Sequence, residues 1–166
     1  PGDCDRDDRG QSERDFVAPD GTEGYVLRFE ELMTGDLPNL TADFSHVSSL
    51  ALDGNHAAHG LPGFLQHFSG LRRLELRRFT LQKLPDAIGQ MVNLETLILR
   101  DCAINVDAVA WAKLAQMKKL VMLDLYRNPI EGVPNIESMP DLVHLDLSDT
   151  GLSEIPGSAL LHPRLN

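Results

Sequence analysis

Apolar residues return along this chain at unequal but repeating steps, fitting neither a helix running its whole length nor a plain alternation. In Leu120 to Val133, leucines hold the first, fourth and sixth places, Asn128 the ninth, and Ile130 and Val133 the eleventh and fourteenth. The middle of this stretch alternates, and in a strand alternate side chains point to opposite faces. Leu123 and Leu125 therefore face one way, and Met122, Asp124 and Tyr126 the other.

The same spacing restarts at Val47, Leu71, Leu94, Leu120, Leu142 and Leu165, at intervals of 24, 23, 26, 22 and 23 residues. Intervals of about 20 to 29 residues with this L-x-x-L-x-L-x-x-N-x-L core define a leucine-rich repeat. The expected fold is α/β: a right-handed solenoid of five full repeats and a truncated sixth over residues 47–166. Short parallel strands would line its concave face, and helices and 3₁₀ turns its convex face. Inward positions are Leu50 and Leu52, Leu74 and Leu76, Leu97 and Leu99, Leu123 and Leu125, Leu145 and Leu147. The ninth places hold Asn55, Phe79, Cys102, Asn128 and Thr150. Asn, Cys and Thr can turn inward and bond loop backbone, whereas Phe79 breaks that ladder.

Each strand needs a return path. Leu84-Pro85 and Ile155-Pro156 suit short helical turns, because proline presets φ at a helix start. Asp107 to Met117 is rich in alanine, lacks internal Gly or Pro, and predicts a helix of about three turns. The return at Asn135 to Met139 is the tightest. Ahead of the repeats, residues 21–46 read as a capping segment in which Tyr25 to Met33 forms a short helix stopped at Thr34-Gly35. Residues 1–20, with seven acidic side chains and three arginines, read as a flexible acidic tail. Leu165-Asn166 falls two residues into another repeat, so the chain is expected to continue in a longer protein or to be covered by another chain.

Composition narrows the partners. With 15 basic against 25 acidic residues and a net charge of −10, the chain lacks the positive footprint that nucleic acid or anionic lipid requires. No apolar run approaches the roughly 18 residues of a membrane span. The two cysteines, Cys4 and Cys102, are far apart, and no disulfide is expected. Asn39-Leu40-Thr41 forms a glycosylation sequon, which matters only on a eukaryotic secretory route.

The outward strand positions are the candidate site. Their columns gather arginine against the overall acidity: Arg73, Arg77, Arg78, Arg100 and Arg127 share a face with Glu75, Ile98, Met122, Asp124, Tyr126, His144 and Asp146. Arginine and tyrosine often dominate binding energy at interfaces, so these twelve are the expected partner-binding residues. A solvated sheet face bearing cross-strand ion pairs, Arg77 or Arg100 with Glu75, Asp124 or Asp146, is the plainer alternative, each pair contributing little.

Other chemistry is thin. His56 and His59 lie near Asp53 but lack a clear further metal ligand, and Asp3, Asp5 and Asp7 lack the Gly and Glu of a calcium loop. No phosphate loop, nucleophile elbow or paired C-x-x-C occurs. No catalytic residue, metal or cofactor is expected.

Asp36-Leu37-Pro38, leading through Ala42-Asp43-Phe44-Ser45-His46-Val47, and the closing Leu160-Leu161-His162-Pro163-Arg164-Leu165 resemble the repeats of large bacterial toxin-like proteins. Within that group they are similar to the novel E3 ubiquitin ligase effectors, over about residues 36 to 166. The resemblance implies a substrate-selecting module of a protein delivered into host cytoplasm, its partner a host protein or another domain of its own chain. It also implies a separate C-terminal ligase domain with a Cys-x-Asp nucleophile. Cys4 is followed by Asp5-Arg6 and Cys102 by Ala103-Ile104, so neither supplies that motif. The alternative without ligase linkage is a scaffold segment joining domains of a large toxin-like protein.

Overall fold

The computed structural model describes residues 44–132 and 136–165, together with the backbone of residues 12–17 and 23–29. Cys4, the Asp3 to Asp7 run, the Asn39 sequon, Asp36-Leu37-Pro38, Asn135 and Asn166 lie outside the described residues.

Seven strands form one sheet in chain order: β1 (Ser12–Val17), β2 (Glu23–Phe29), β3 (Val47–Asp53), β4 (Arg73–Arg77), β5 (Thr96–Arg100), β6 (Met122–Asp124) and β7 (His144–Asp146). β1 pairs antiparallel with β2, and every later pair is parallel. The register follows the leucines. Leu50, Leu74, Leu97, Leu123 and Leu145 are successive partners across β3 to β7. Leu52, Leu76 and Leu99 form a second row. These rows are buried except at Leu145, which is half-buried against the same core. The chain is a leucine-rich repeat solenoid.

Parallel neighbours need crossovers, and three of them carry a 3₁₀ turn (Gly63–His67) and helices α1 (Asp86–Gly89) and α2 (Ala108–Leu114), while α3 (Gly157–Leu160) follows β7. Pro85 and Pro156 cap α1 and α3, as their preset φ suggests. Helix α2 is shorter than the expected stretch. It begins after Asp107, whose carboxylate accepts from the Ala110 N–H at 2.8 Å, and buries Ala110, Trp111 and Leu114. Ahead of the first repeat, Phe44 stacks on Phe68 from that repeat's return, with ring centroids 4.8 Å apart.

The N-terminal expectations need correction. Glu23–Phe29 is a strand where a helix over Tyr25 to Met33 was expected, and Ser12–Val17 is a strand inside the segment read as a flexible tail. The open edge of β3 explains the first: it offers a row of unpaired backbone groups, and Tyr25 to Phe29 pair along it from Val47 to Leu52. Tyr25, Val26 and Phe29 also favour extended backbone.

The strand-to-return corner is built alike in successive repeats. Arg78, Asp101, Arg127 and Asp149, the eighth residues, take φ of 55°, 54°, 55° and 57°. Backbone hydrogen bonds link one corner to the next: Arg78 N–H to Arg100 O at 3.0 Å, Asp101 N–H to Tyr126 O at 2.9 Å, Arg127 N–H to Ser148 O at 3.1 Å.

The first repeat departs from this pattern. Its eighth residue is Gly54, where a Cβ would lie 2.9 Å from both the Phe79 ring and the Arg78 carbonyl oxygen. The left-handed turn comes one residue later, at Asn55 and His56, with φ of 46° and 57°. Asn55 is consequently exposed rather than turned inward. The ladder is thus absent in both early repeats, because Phe79 occupies the interior beside Gly54. In the later repeats it forms as expected, with Asn128 fully buried and Cys102 and Thr150 bonded to backbone carbonyls.

Candidate functional site

All twelve candidate residues lie on strands β4 to β7 or in the corners that follow them. Register sets the first two columns: Arg73, Thr96, Met122 and His144 run across the sheet as partners, and so do Glu75, Ile98, Asp124 and Asp146. Arg77 and Arg100 are partners one pleat further on. Tyr126, Arg78 and Arg127 sit in the corners beyond.

Charges on this face are paired within the sheet. Glu75, 8% exposed, receives both Arg73, at 2.7 Å, and Arg77. Asp124, 4% exposed, accepts from the Arg100 Nε–H at 2.6 Å and from the Tyr126 N–H at 3.0 Å. Arg100 also reaches Asp146 at 3.7 Å. The hydrogen bond to Asp124 raises the Arg100 pKa above its ordinary value. A hydrogen bond from Ser148 holds the Asp146 carboxyl below the usual carboxylate range, with Arg100 adding to the effect.

The corners carry a second set of contacts. Two guanidiniums lie over the Tyr126 ring, with Arg100 Cζ 5.7 Å and Arg127 Cζ 5.5 Å from its centroid, within the range of cation–π attraction. Arg127 also lies 3.6 Å from Asp149. Arg78 grips Asp53 through Nε and a terminal nitrogen, at 2.9 Å and 2.6 Å. Partial burial pushes the Asp53 carboxyl up, but Arg78 and the Asn55 N–H outweigh it and the net shift is downward. Asp53 and Asp149 stand outside the twelve candidates. Their places in the seventh and eighth columns were the signal that they belong to this face.

Seven of the twelve surround one hollow. Arg77, Ile98, Arg100, Met122, Asp124, His144 and Asp146, with the edges of Leu123 and Leu145, line a space of about 360 Å³ over β4 to β7. Ile98, 7% exposed, and half-buried Met122 give it an apolar centre between charged ends. Arg73, Glu75, Arg78, Tyr126 and Arg127 lie outside this hollow on the same face.

The remaining candidates for chemistry do not assemble. His56 is exposed and faces the Asp101 carboxylate at 3.6 Å, and His59 is exposed. Among the described residues no three His, Cys, Asp or Glu side chains gather as a metal site. Cys102 is a buried free thiol, pushed up to about 12 by burial, and its Sγ approaches the Leu76 and Arg100 carbonyls at 3.4 Å and 3.3 Å. No helix among the described residues is long and apolar enough to cross a membrane.

Solved leucine-rich repeat structures of plant receptor kinases share this fold. The Arabidopsis receptor kinase HAESA, in complex with the peptide hormone IDA and the co-receptor SERK1, superposes with a TM-score of 0.59 and 25% identity, over 72% of this chain and 21% of that one. The ectodomain of the Arabidopsis receptor kinase SOBIR1 matches in fold, with a TM-score of 0.51 and 19% identity over 89% of this chain and 82% of that one. In sequence, a probable disease resistance protein of Arabidopsis thaliana is 37% identical over 67 residues, 40% of this chain. The chain spans 7% of that relative's length. No protein-family model matches.

Proposed function

We propose that this chain is a protein-recognition module that binds a polypeptide on the concave sheet face, at the hollow over β4 to β7. The observation that carries this reading is the hollow itself: an apolar centre at Ile98 and Met122, ringed by His144 and by arginines and aspartates held in place by ion pairs. An interface of this make-up, apolar inside and polar at the rim, is what protein partners select. HAESA, the structural neighbour, is seen with a peptide hormone and a co-receptor. Pairing of these arginines with Glu75, Asp124 and Asp146 does not oppose the proposal, because side chains already ordered lose less entropy when a partner arrives.

The test is loss of partner without loss of fold. Arg100 is unsuitable for charge reversal, since it neutralises buried Asp124. Met122→Glu with Tyr126→Ala alters the half-buried concave surface instead. Proteins retained by the parent chain and by a convex-face control, Val109→Glu at an exposed position of α2, are expected to be lost from the concave double variant. Retention by all three chains, each melting cooperatively, would refute the concave face.

A narrower reading makes the module the substrate selector of a secreted bacterial ubiquitin-ligase-type effector. The likeness of residues 36–47 and 160–165 to such repeats supports it, while the relatives described above are all plant proteins. The parent gene decides: a Cys-x-Asp ligase domain in the same protein favours the effector, and a plant receptor or resistance architecture rules it out.

A further inference from the structure

Charge is distributed unevenly across the hollow in a way that pairwise contacts conceal. On the β4 side, two guanidiniums, Arg73 and Arg77, share the single carboxylate of Glu75, leaving one positive charge in excess. On the β6 to β7 side, two carboxylates, Asp124 and Asp146, share the single guanidinium of Arg100, leaving one negative charge in excess. Between them, Ile98 and Met122 carry no charge and form the apolar centre. Arg127 and Asp149 cancel each other to one side.

The excess charges sit toward opposite ends of the hollow, with Arg100 of β5 between them. Glu75 and Asp124 are buried and already engaged. Arg77, half exposed, is the most open arginine of the first group, and Asp146, with 36% of its side chain open, the more open carboxylate of the second, with Arg100 at 42% between them. β4 and β7 are three steps apart in the sheet, roughly 14 Å at the usual strand separation. An extended polypeptide laid across the strands covers that distance in four to five residues at about 3.3 Å each.

Resting on the concave-face reading above, we propose that the hollow selects an extended polypeptide with an acidic and a basic side chain four residues apart and an apolar side chain midway between them, all three on one face. The acidic group would meet Arg77 beside Arg73, the apolar group would cover Ile98 and Met122, and the basic group would meet Asp146 near Asp124. Complementary charge mainly sets specificity and arrival rate, so the signature is a preference among peptides rather than high affinity.

The experiment uses four synthetic peptides that share a leucine centre and differ only at the two ends: Glu and Lys, Glu twice, Lys twice, or Gln twice. Calorimetry or fluorescence anisotropy at low salt is expected to show the Glu and Lys peptide binding at least tenfold tighter than the others. Asp146→Lys should move the preference to the peptide with Glu twice, and Arg77→Glu to the peptide with Lys twice, with circular dichroism showing both variants folded. Equal binding of all four peptides, or a preference that neither variant moves, overturns the charge rule. Equal binding that Met122→Glu abolishes overturns it too, while leaving the concave face as the binding surface. Equal binding that Met122→Glu leaves unchanged overturns both.

Discussion

At the scale of single residues, the ninth place of the repeat shows how one position acquires different roles. Asn128 is 0% exposed and satisfies five backbone groups. Its two amide hydrogens are shared among the carbonyls of Leu99, Leu125 and Tyr126, and its oxygen accepts from the N–H groups of Cys102 and Ile104. The Leu125 and Tyr126 carbonyls keep the N–H groups of Asn128 and Asp101, but removing the side chain strands the N–H groups of Cys102 and Ile104 at about 1 to 3 kcal/mol each. Asn128→Ala is therefore expected to cost on the order of 3 kcal/mol and to lower the melting temperature by roughly 6 to 12 °C, measurable by calorimetry. The consensus is misleading two repeats earlier. Phe79→Asn restores the motif but removes a ring that is 1% exposed and packed beside Gly54. It should destabilise by about 3 to 5 kcal/mol, as other buried Phe truncations do, and a gain in denaturant midpoint would disprove the packing role. Asn128 could be read from spacing alone. Asn55 could not, because its outward turn depends on a bulky residue 24 positions later.

Cys102 adds a pH dependence at the same scale. Burial raises its thiol from 9.0 to about 12, so the folded state holds the proton more tightly than the unfolded chain does. Its contribution is complete below about pH 9 and disappears as pH climbs toward 12, up to about 4 kcal/mol at 1.36 kcal/mol per unit. Chemical denaturation between pH 8 and 11 should show stability falling in the parent and falling less in Cys102→Ala. Identical slopes would show that the thiol is not the titrating group.

At the scale of elements, legibility tracked how far each one depends on neighbours. The strands of the repeats were readable because the inward leucines impose a register, and a slip of one residue would bury Glu75 and Asp124 in the apolar interior instead. Helix α2 was readable in kind, through its alanine content and Asp107, though not in length. Asp107→Ala should cost about 1 kcal/mol through the lost bond to the Ala110 N–H, seen as a small drop in denaturant midpoint with the fold intact. β2 was misread because a cluster of apolar residues at mixed spacing suits a helix or a strand equally, and the edge of β3, remote in sequence, decided the matter. Gly70 is the other element-level surprise. A Cβ there would stand 2.0 Å from the Ser45 carbonyl oxygen. Because backbone cannot swing aside as a side chain can, Gly70→Ala should push the end of the first repeat away from the backbone leading into β3 and cost more than Asp107→Ala.

At the scale of the whole molecule, stability in a stacked solenoid is close to a sum of neighbour interfaces, so it should vary along the stack. β5 lies between two partners, with Leu97, Ile98 and Leu99 buried, and backbone bonds tie it on both sides. β7 has His144 exposed and Leu145 and Asp146 half-buried, and the return after it leaves Ile155, Leu160 and Leu161 at 69%, 70% and 83% exposure. Fewer buried apolar contacts make for opening at lower free energy. Native-state hydrogen exchange should therefore find the slowest amides in β4 and β5 and distinctly faster ones in β7. The gradient crosses the hollow: its basic side rests on the stiffer β4, and its acidic side on the looser β7. A polypeptide bridging the two would tie β7 to the firmer part of the sheet, so binding should slow exchange in β7 more than in β4. Uniform protection along all four strands would mean that the ligand does not bridge them.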